Sequence, residues 1–253
     1  MSDAPFPPDP AYDTIEVRLF ESSKELVETA AADFVELIGA AVRERGRARV
    51  ILTGGSNGIA ILRALRAMDT GLDWSAIEFY WGDDRFVPTA DAERNSGQAR
   101  DALLDHVAVD PAKVHVMASS DGTFGTDIDA AAAAYKQIID DVEAFDLHLL
   151  GMGGEGHINS LFPHTAATAE ATKTVVAVTD SPKPPAQRIT LTFPAIARCR
   201  QVWLLVAGAD KADAVAAGVG GADRADWPCA GAVGTDATVW FVDEAAAAGL
   251  TRG

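Results

Sequence analysis

The chain has 253 residues, of which 48% are hydrophobic and 23% charged, and its formal net charge at pH 7 is −16. This length suits one large α/β domain or two small ones. The acidity argues against nucleic acid and anionic membranes as partners, because both require a basic protein surface. A small anionic substrate stays compatible with it, since a few convergent cations and a helix N-terminus can form a local positive site.

Apolar stretches, the N-terminal segment and the cysteines further indicate what class of protein this is. No apolar stretch reaches the roughly 20 residues that a membrane span requires. Residues 1–12 are polar and proline-rich and lack the pattern of a signal peptide, so we interpret them as a mobile arm before one domain over residues 13–253. Cys199 and Cys229 lack metal-ligand spacing. They predict two buried thiols and a cytoplasmic location. The sequence leaves the oligomeric state open between a monomer and a dimer.

Apolar periodicity predicts strands alternating with helices along the chain. The predicted strands cover residues 14–20, 50–53, 77–81, 114–117, 147–150, 174–178, 188–192, 202–206 and 238–242. The predicted helices cover residues 23–44, 59–68, 93–106, 127–142 and 211–217. This alternation indicates βαβ crossovers, so we expect a single α/β domain with a mostly parallel, doubly wound sheet and helices on both faces.

A glycine-rich loop with one histidine follows the predicted strand 147–150. Four glycines between residues 151 and 156 lead directly to His157. Glycine lets a ligand approach the main chain closely, and open α/β sheets bind ligands at the carboxyl ends of their strands. We therefore expect His157 to lie in a ligand site; a purely structural histidine is the alternative.

The same glycine spacing also fits the dinucleotide-binding fingerprint, with Asp180 at the distance of a ribose-binding carboxylate. Three features oppose this alternative. Pro163 ends any helix soon after the last glycine. Several strands precede the loop, whereas the fingerprint usually opens the first βαβ unit. His157 is polar at a position where helix–strand packing favours an apolar residue.

Two other predicted strands also end in polar loops. The loop after residue 53 reads Gly54-Gly55-Ser56-Asn57-Gly58, and its main-chain N–H groups at a helix start could hold a phosphate. It lacks the lysine of a P-loop, so we do not expect a nucleoside triphosphate. Asp83-Asp84-Arg85 follows the strand 77–81 and could bind sugar hydroxyls. The alternative for the glycine loop is an ordinary βα turn, and the alternative for Asp83-Asp84-Arg85 is a solvated ion pair. Asn95 is interpreted by default as a helix N-cap.

Three cations on separate elements could converge on a phosphate. They are Lys183 and Arg188, in and after a proline-rich loop, and Lys211, at a predicted helix start. Three unrelated surface cations are the alternative. No second histidine or cysteine pairs with His157 at metal-ligand spacing, and no Gly-x-Ser-x-Gly elbow supplies a serine nucleophile.

Together these motifs resemble the glucosamine-6-phosphate deaminase/6-phosphogluconolactonase family over roughly residues 17–247. The segments that carry the resemblance are Gly54-Gly55-Ser56, Asp83-Asp84-Arg85, residues 151–157 with Ser160-Leu161-Phe162-Pro163, Lys183-Pro184 with Arg188-Ile189-Thr190, and Gly208 with Lys211. The chain departs from the family pattern at Asp84, at Asn57-Gly58, at Glu155 and at Ile158-Asn159.

The resemblance implies hydrolysis of 6-phospho-D-glucono-1,5-lactone in the oxidative pentose phosphate pathway, without cofactor or metal. It implies that His157 is the general base and that Asp83 and Arg85 lie near the reacting end of the sugar. The phosphate-binding residues that it implies are Gly54, Gly55, Ser56, Asn57, Lys183, Arg188 and Lys211, with Glu155 and Asn95 as supporting residues. An amino-sugar phosphate deaminase and a non-catalytic sugar-phosphate sensor are the alternatives.

Overall fold

The structure is a computed structural model that describes residues 15–250. The predicted N-terminal arm, residues 1–12, lies outside the described residues. The strands are β1 (Ile15–Phe20), β2 (Ala48–Leu52), β3 (Ile77–Trp81), β4 (Asp83–Arg85), β5 (Phe145–Leu150), β6 (Val175–Val178), β7 (Arg188–Leu191), β8 (Cys199–Val206) and β9 (Ala237–Asp243). The helices are α1 (Ser23–Arg45), α2 (Gly55–Ala67), α3 (Asn95–Ala102), α4 (Ile128–Asp140), α5 (Ala166–Ala169), α6 (Phe193–Ile196) and α7 (Ala212–Val219).

Six strands form the main sheet, in the order β1-β9-β8-β5-β2-β3, and every neighbouring pair runs parallel. All six side chains of β5 are buried. Because successive side chains of a strand point to opposite faces, both faces of the sheet are covered. The predicted α/β domain with a mostly parallel sheet is confirmed.

The direction of winding reverses between β2 and β5. From β2 the chain moves outward to β3, whereas from β5 it moves the opposite way to β8. In open α/β sheets such a reversal leaves a crevice at the carboxyl ends of the two strands. The glycine loop after β2 and the histidine loop after β5 both begin at this crevice.

A second sheet was not predicted from the sequence. It has the order β4-β7-β6 and is antiparallel, with Asp83 opposite Thr190 and Arg85 opposite Arg188. The strands predicted at 174–178 and 188–192 therefore belong to this sheet and not to the main one. Asp83-Asp84-Arg85 has poor strand propensity, so tertiary pairing with β7 defines β4.

Three predicted elements need correction. The strand at 114–117 is wrong: Val114 makes a single bridge to Phe79, and His115 then stacks on Tyr80 instead of continuing the pairing. The helix predicted at 93–106 is shorter, since α3 ends at Ala102 and a 3-10 turn follows. Helix α2 begins within the glycine loop, four residues earlier than predicted, so that loop is the first turn of the helix.

The described residues 15–250 include no helix long and apolar enough to cross a membrane.

Candidate active site

A cleft lies at the crevice between β2 and β5 and has two compartments of about 150 Å³ each. They share Gly54, Gly55, Gly151 and Met152, and the Gly151 N–H donates to Thr53 Oγ1 at 3.3 Å, tying the two strand ends together. The histidine compartment is further lined by Thr53, Asp83, Arg85, Asn95, His157, Asn159 and Arg188. The lysine compartment is further lined by Ser56, Asn57, Gly58, Leu205, Val206, Ala207 and Lys211.

A tight glycine turn places His157. The Gly153 N–H donates to the His157 carbonyl at 3.0 Å, and the Gly156 N–H donates back to the Gly153 carbonyl at 3.0 Å. Gly156 has φ +77°, a conformation that glycine adopts readily. A Cβ at Gly153 would overlap the His157 ring, and the ring stacks on Phe162 with 4.4 Å between centroids. The imidazole is therefore held in one orientation.

The imidazole of His157 is neutral at pH 7. Burial lowers its pKa to about 4, although the nearby carboxylate of Glu155 acts in the opposite direction. Glu155 Oε1 lies 3.1 Å from Nδ1 of His157. A neutral imidazole carries one proton, and a carboxylate 3.1 Å from Nδ1 favours the tautomer that carries the proton there. Nε2 is then the ring nitrogen that can accept a proton.

Lys183 holds the carboxylate of Glu155 in place. Its Nζ lies 2.7 Å from Oε1 of Glu155 and 3.5 Å from Nδ1 of His157. Burial alone would raise the pKa of Glu155, but the hydrogen bond from Lys183 and the surrounding charges outweigh it and lower the pKa to about 2. Lys183 was predicted to lie at the pocket rim or on the phosphate; its side chain pairs with Glu155 and lines neither compartment.

Asp83 and Asn95 form a buried polar wall of the histidine compartment. The Asp83 carboxylate accepts from Ser160 Oγ at 2.6 Å and from Asn95 Nδ2 at 3.2 Å. Arg188 Nη1 lies 3.8 Å from the same carboxylate. Burial raises the pKa of Asp83, against the hydrogen bond from Ser160.

The two arginines of the histidine compartment are also anchored. Arg85 Nη1 donates to the Glu93 carbonyl at 2.6 Å. Arg188 donates from Nε to the Pro185 carbonyl at 3.0 Å and from Nη2 to the Lys183 carbonyl at 2.8 Å. Arg188 thereby fixes the loop that carries Lys183. It lies in a different compartment from Lys211, so the cations that were predicted to converge on one phosphate are divided between two ends of the cleft.

The lysine compartment is built on the start of α2. The N-cap residue Gly54 has no side-chain cap, so the first main-chain N–H groups of a 13-residue helix border the cleft. Lys211 Nζ stands 2.9 Å from Asp210. Both amide atoms of Asn57 are engaged, accepting from Ser23 Oγ at 2.8 Å and donating to the Leu205 carbonyl at 3.1 Å. Asn57 therefore joins α1 to β8 from the side of the compartment.

Unpartnered polar atoms concentrate around the histidine compartment. Within residues 15–250, six buried side-chain nitrogen or oxygen atoms have no hydrogen-bond partner, and four of them belong to Arg85, Asn95 and Asn159. A buried polar atom left unpaired costs roughly 1–3 kcal/mol, so such a concentration indicates a site prepared for a polar ligand. Asn159 was not predicted as a site residue; its departure from the family pattern was the available signal.

A model of the family described as glucosamine-6-phosphate isomerases/6-phosphogluconolactonase matches residues 21–240. The chain belongs to this family. It is 56% identical over 241 residues to the 6-phosphogluconolactonase of Mycobacterium tuberculosis, covering 92% of this chain and 98% of that protein. It is 46% identical over 251 residues to the Streptomyces coelicolor 6-phosphogluconolactonase, covering 95% of this chain and 96% of that protein.

Solved structures of the family share the fold. The 6-phosphogluconolactonase of Trypanosoma brucei superposes with a TM-score of 0.82 at 25% identity, covering 93% of this chain and 98% of that chain. A monomeric glucosamine-6-phosphate deaminase superposes with a TM-score of 0.78 at 22% identity, covering 93% of this chain and 100% of that chain. The second likeness shows the fold alone.

Proposed function

We propose that the chain hydrolyses 6-phospho-D-glucono-1,5-lactone to 6-phospho-D-gluconate. The observation that carries the proposal is the combination, in one cleft, of a neutral His157 with an uncapped helix N-terminus. The names of the relatives at 46–56% identity support the lactone as substrate. The alignments cover nearly the whole length of this chain and of those relatives.

The reaction needs a base and no covalent nucleophile. Nε2 of His157 takes a proton from water as the water oxygen forms a bond to C1 of the lactone. The bond between C1 and the ring oxygen then breaks, and the imidazolium returns its proton to that oxygen, which becomes a hydroxyl. The new acid at C1 loses its proton to solvent. General base help of this kind is worth about 10²–10⁴-fold.

The lysine compartment would hold the phosphate. Unpaired N–H groups at the start of α2 and the partial positive charge of the helix dipole favour an anion there. Lys211 adds a full charge, and Gly54, Gly55 and Ser56 border the same space. The lysine compartment orients the substrate and takes no part in bond-making, because holding the phosphate fixes C1 beside the imidazole.

The histidine compartment would hold the lactone ring. Asp83, Arg85 and Asn95 present carboxylate, guanidinium and amide groups suited to sugar hydroxyls. Glu155 and Lys183 act through the imidazole, the first by fixing its proton on Nδ1 and the second by fixing Glu155.

A substrate comparison tests the proposal. The lactone is made in the cuvette by oxidising glucose 6-phosphate, and 6-phosphogluconate formation is followed with and without the protein, because the lactone also hydrolyses unaided. Glucosamine 6-phosphate is assayed in parallel for ammonia release. We expect rapid lactone hydrolysis and no ammonia. Ammonia release without lactone hydrolysis would favour a deaminase, and binding without either reaction would favour a sensor.

We further propose that the protein is located in the cytoplasm. Cys199 and Cys229 are both buried and carry free thiols, as predicted. Two unpaired buried thiols are consistent with a reducing cytoplasm.

A further inference from the structure

Asn159 has an unusual backbone conformation two residues after His157. Its φ is +48°, in the left-handed region that few residues other than glycine occupy, although asparagine tolerates it better than most. Such conformations persist where the surrounding structure imposes them, and they concentrate at ligand sites. The residue lines the histidine compartment, so its conformation places an amide in the wall beside the proposed base.

The Nδ2 group of Asn159 lacks a partner among residues 15–250. The residue is only 7% exposed, and the ring of His148 interacts with its amide, but Nδ2 has no hydrogen-bond partner there. A buried amide N–H without a protein partner costs free energy unless a ligand or water binds it. The free Nδ2 group is therefore available to a ligand in the compartment.

The neighbourhood of Asn159 is shaped to admit its amide. Gly82, between β3 and β4, leaves the necessary space: a Cβ there would overlap Asn159 Oδ1 and stand 2.7 Å from His148 Nε2. His148 is fully buried in β5, and its other ring nitrogen faces Cys199 Sγ at 3.9 Å. Burial lowers the pKa of His148 to about 3, so this ring adds no charge beside the amide. The amide therefore lies beside an uncharged ring.

We propose that Asn159 is a further substrate-contacting residue, whose side-chain amide hydrogen-bonds the lactone end of the sugar beside His157. The inference rests on the proposed lactone hydrolysis and adds a contact to it. A neutral amide suits this position because negative charge develops on the carbonyl oxygen at C1 as water attacks, and a preorganised N–H donor stabilises it.

Two substitutions test the contact. Asn159→Gly deletes the amide at a φ that glycine adopts freely, so it introduces no backbone strain. Asn159→Asp keeps the shape and the tolerance of positive φ but removes both N–H donors. The matched control is His164→Gly, because His164 also has positive φ (+59°) but lines neither compartment.

Steady-state kinetics on the lactone, thermal melting and the pH profile of kcat/KM are measured for the wild type and the three variants. We expect both Asn159 variants to lose at least about tenfold in kcat/KM and His164→Gly to match the wild type. Asn159→Gly should melt no lower than the wild type, and the acid limb of its pH profile should not move.

Three results would overturn the inference while leaving the proposed function standing. These are kcat/KM within twofold of an active wild type, a loss of melting temperature without a kinetic change, or an acid limb shifted in Asn159→Gly, which would mean that Asn159 acts through His157. A wild type that does not hydrolyse the lactone above the uncatalysed rate would overturn the proposed function itself, and the contact with it.

Discussion

Oε1 of Glu155 lies 3.1 Å from Nδ1 of His157, and this contact favours the tautomer in which Nε2 is free to accept a proton. The carboxylate draws the pKa of His157 upward, whereas burial and the ammonium of Lys183 draw it down to about 4. At pH 7 the ring is neutral, and in the proposed reaction Nε2 is the nitrogen that accepts the proton of water. The activity should therefore be lost only when acid protonates the ring.

Removing the charge of Glu155 should impair the base and shift its titration. In Glu155→Gln the ammonium of Lys183 acts on His157 without an opposing carboxylate, so the pKa of His157 falls further below its usual value. We expect the acid limb of kcat/KM to move to lower pH, and kcat at pH 7 to fall by at least about tenfold but no more than the about 10⁴-fold that base catalysis supplies. An unchanged kcat would show that Glu155 does not orient the ring.

Removing the charge of Lys183 should move the same titration the other way. Lys183→Met deletes a positive charge 3.5 Å from Nδ1 of His157, so the pKa of His157 rises and the acid limb moves to higher pH. The substrate phosphate also titrates, near pH 6, but equally in every variant. NMR titration of the His157 ring provides the same comparison without substrate. Shifts of equal sign in Lys183→Met and Glu155→Gln would contradict the arrangement.

A methyl group at Gly54 should disturb the polar wall of the cleft. A Cβ there would stand 2.6 Å from Asn95 Cγ, and Asn95 is buried and tied to Asp83 by hydrogen bonds. We expect Gly54→Ala to destabilise the protein by about 1–3 kcal/mol and to lower kcat/KM. The control is Gly97→Ala, within α3. A Cβ at Gly97 would have Arg94 Cβ as its nearest neighbour, at 3.8 Å, so there is room for it. It should leave kinetics unchanged and stability equal or about 0.5–1 kcal/mol higher. Equal effects of the two changes would refute the close approach at Gly54.

Lys211 should contribute to binding more than to turnover. A charge-assisted hydrogen bond to phosphate is worth roughly 1.5–3 kcal/mol, so Lys211→Met should weaken 6-phosphogluconate binding by about 10- to 150-fold. Calorimetry measures this Kd, and kcat should change less than KM. The matched control is Lys136→Met on α4, whose lysine pairs with Asp140 and lines neither compartment. A Kd for Lys211→Met equal to that of Lys136→Met would exclude a phosphate role.

His148 should make the fold sensitive to acid. Burial lowers its pKa from 6.5 to about 3, so below pH 6.5 the unfolded chain takes up a proton that the folded protein refuses. The free energy of unfolding then falls by up to about 1.4 kcal/mol per pH unit as pH decreases between these two values. In His148→Leu this contribution is absent. Urea unfolding at pH 7 and pH 5 should show the variant gaining stability relative to the wild type at the lower pH. Parallel pH dependences would contradict this account of His148.

The main sheet could be predicted because its strands are short segments rich in apolar residues, bounded by polar ones. The alternation of these runs with helical periodicity is enough to indicate parallel strands. The glycine loops could be predicted for a related reason, since they follow directly on two of those strands. Both loops do meet at one crevice, where Gly151 contacts Thr53.

Tertiary contacts explain what the sequence alone could not supply. Strand β4 exists because Asp83-Asp84-Arg85 pairs with β7, and no local preference of these residues signals a strand. Lys183 reaches Glu155 across 28 positions of sequence, so its partner depends on how the loop folds. The φ of Asn159 and the space left by Gly82 are likewise properties of the assembled site. Pattern and composition carry no information on such distances.

Turnover and ligand binding by His157→Ala test the central claim most directly. The claim is that one imidazole activates water at one end of a cleft whose other end holds the phosphate. We predict that kcat falls by about 10²–10⁴-fold while the calorimetric Kd for 6-phosphogluconate stays within about threefold of the wild type. A kcat close to that of the wild type would remove His157 from the reaction and contradict the account.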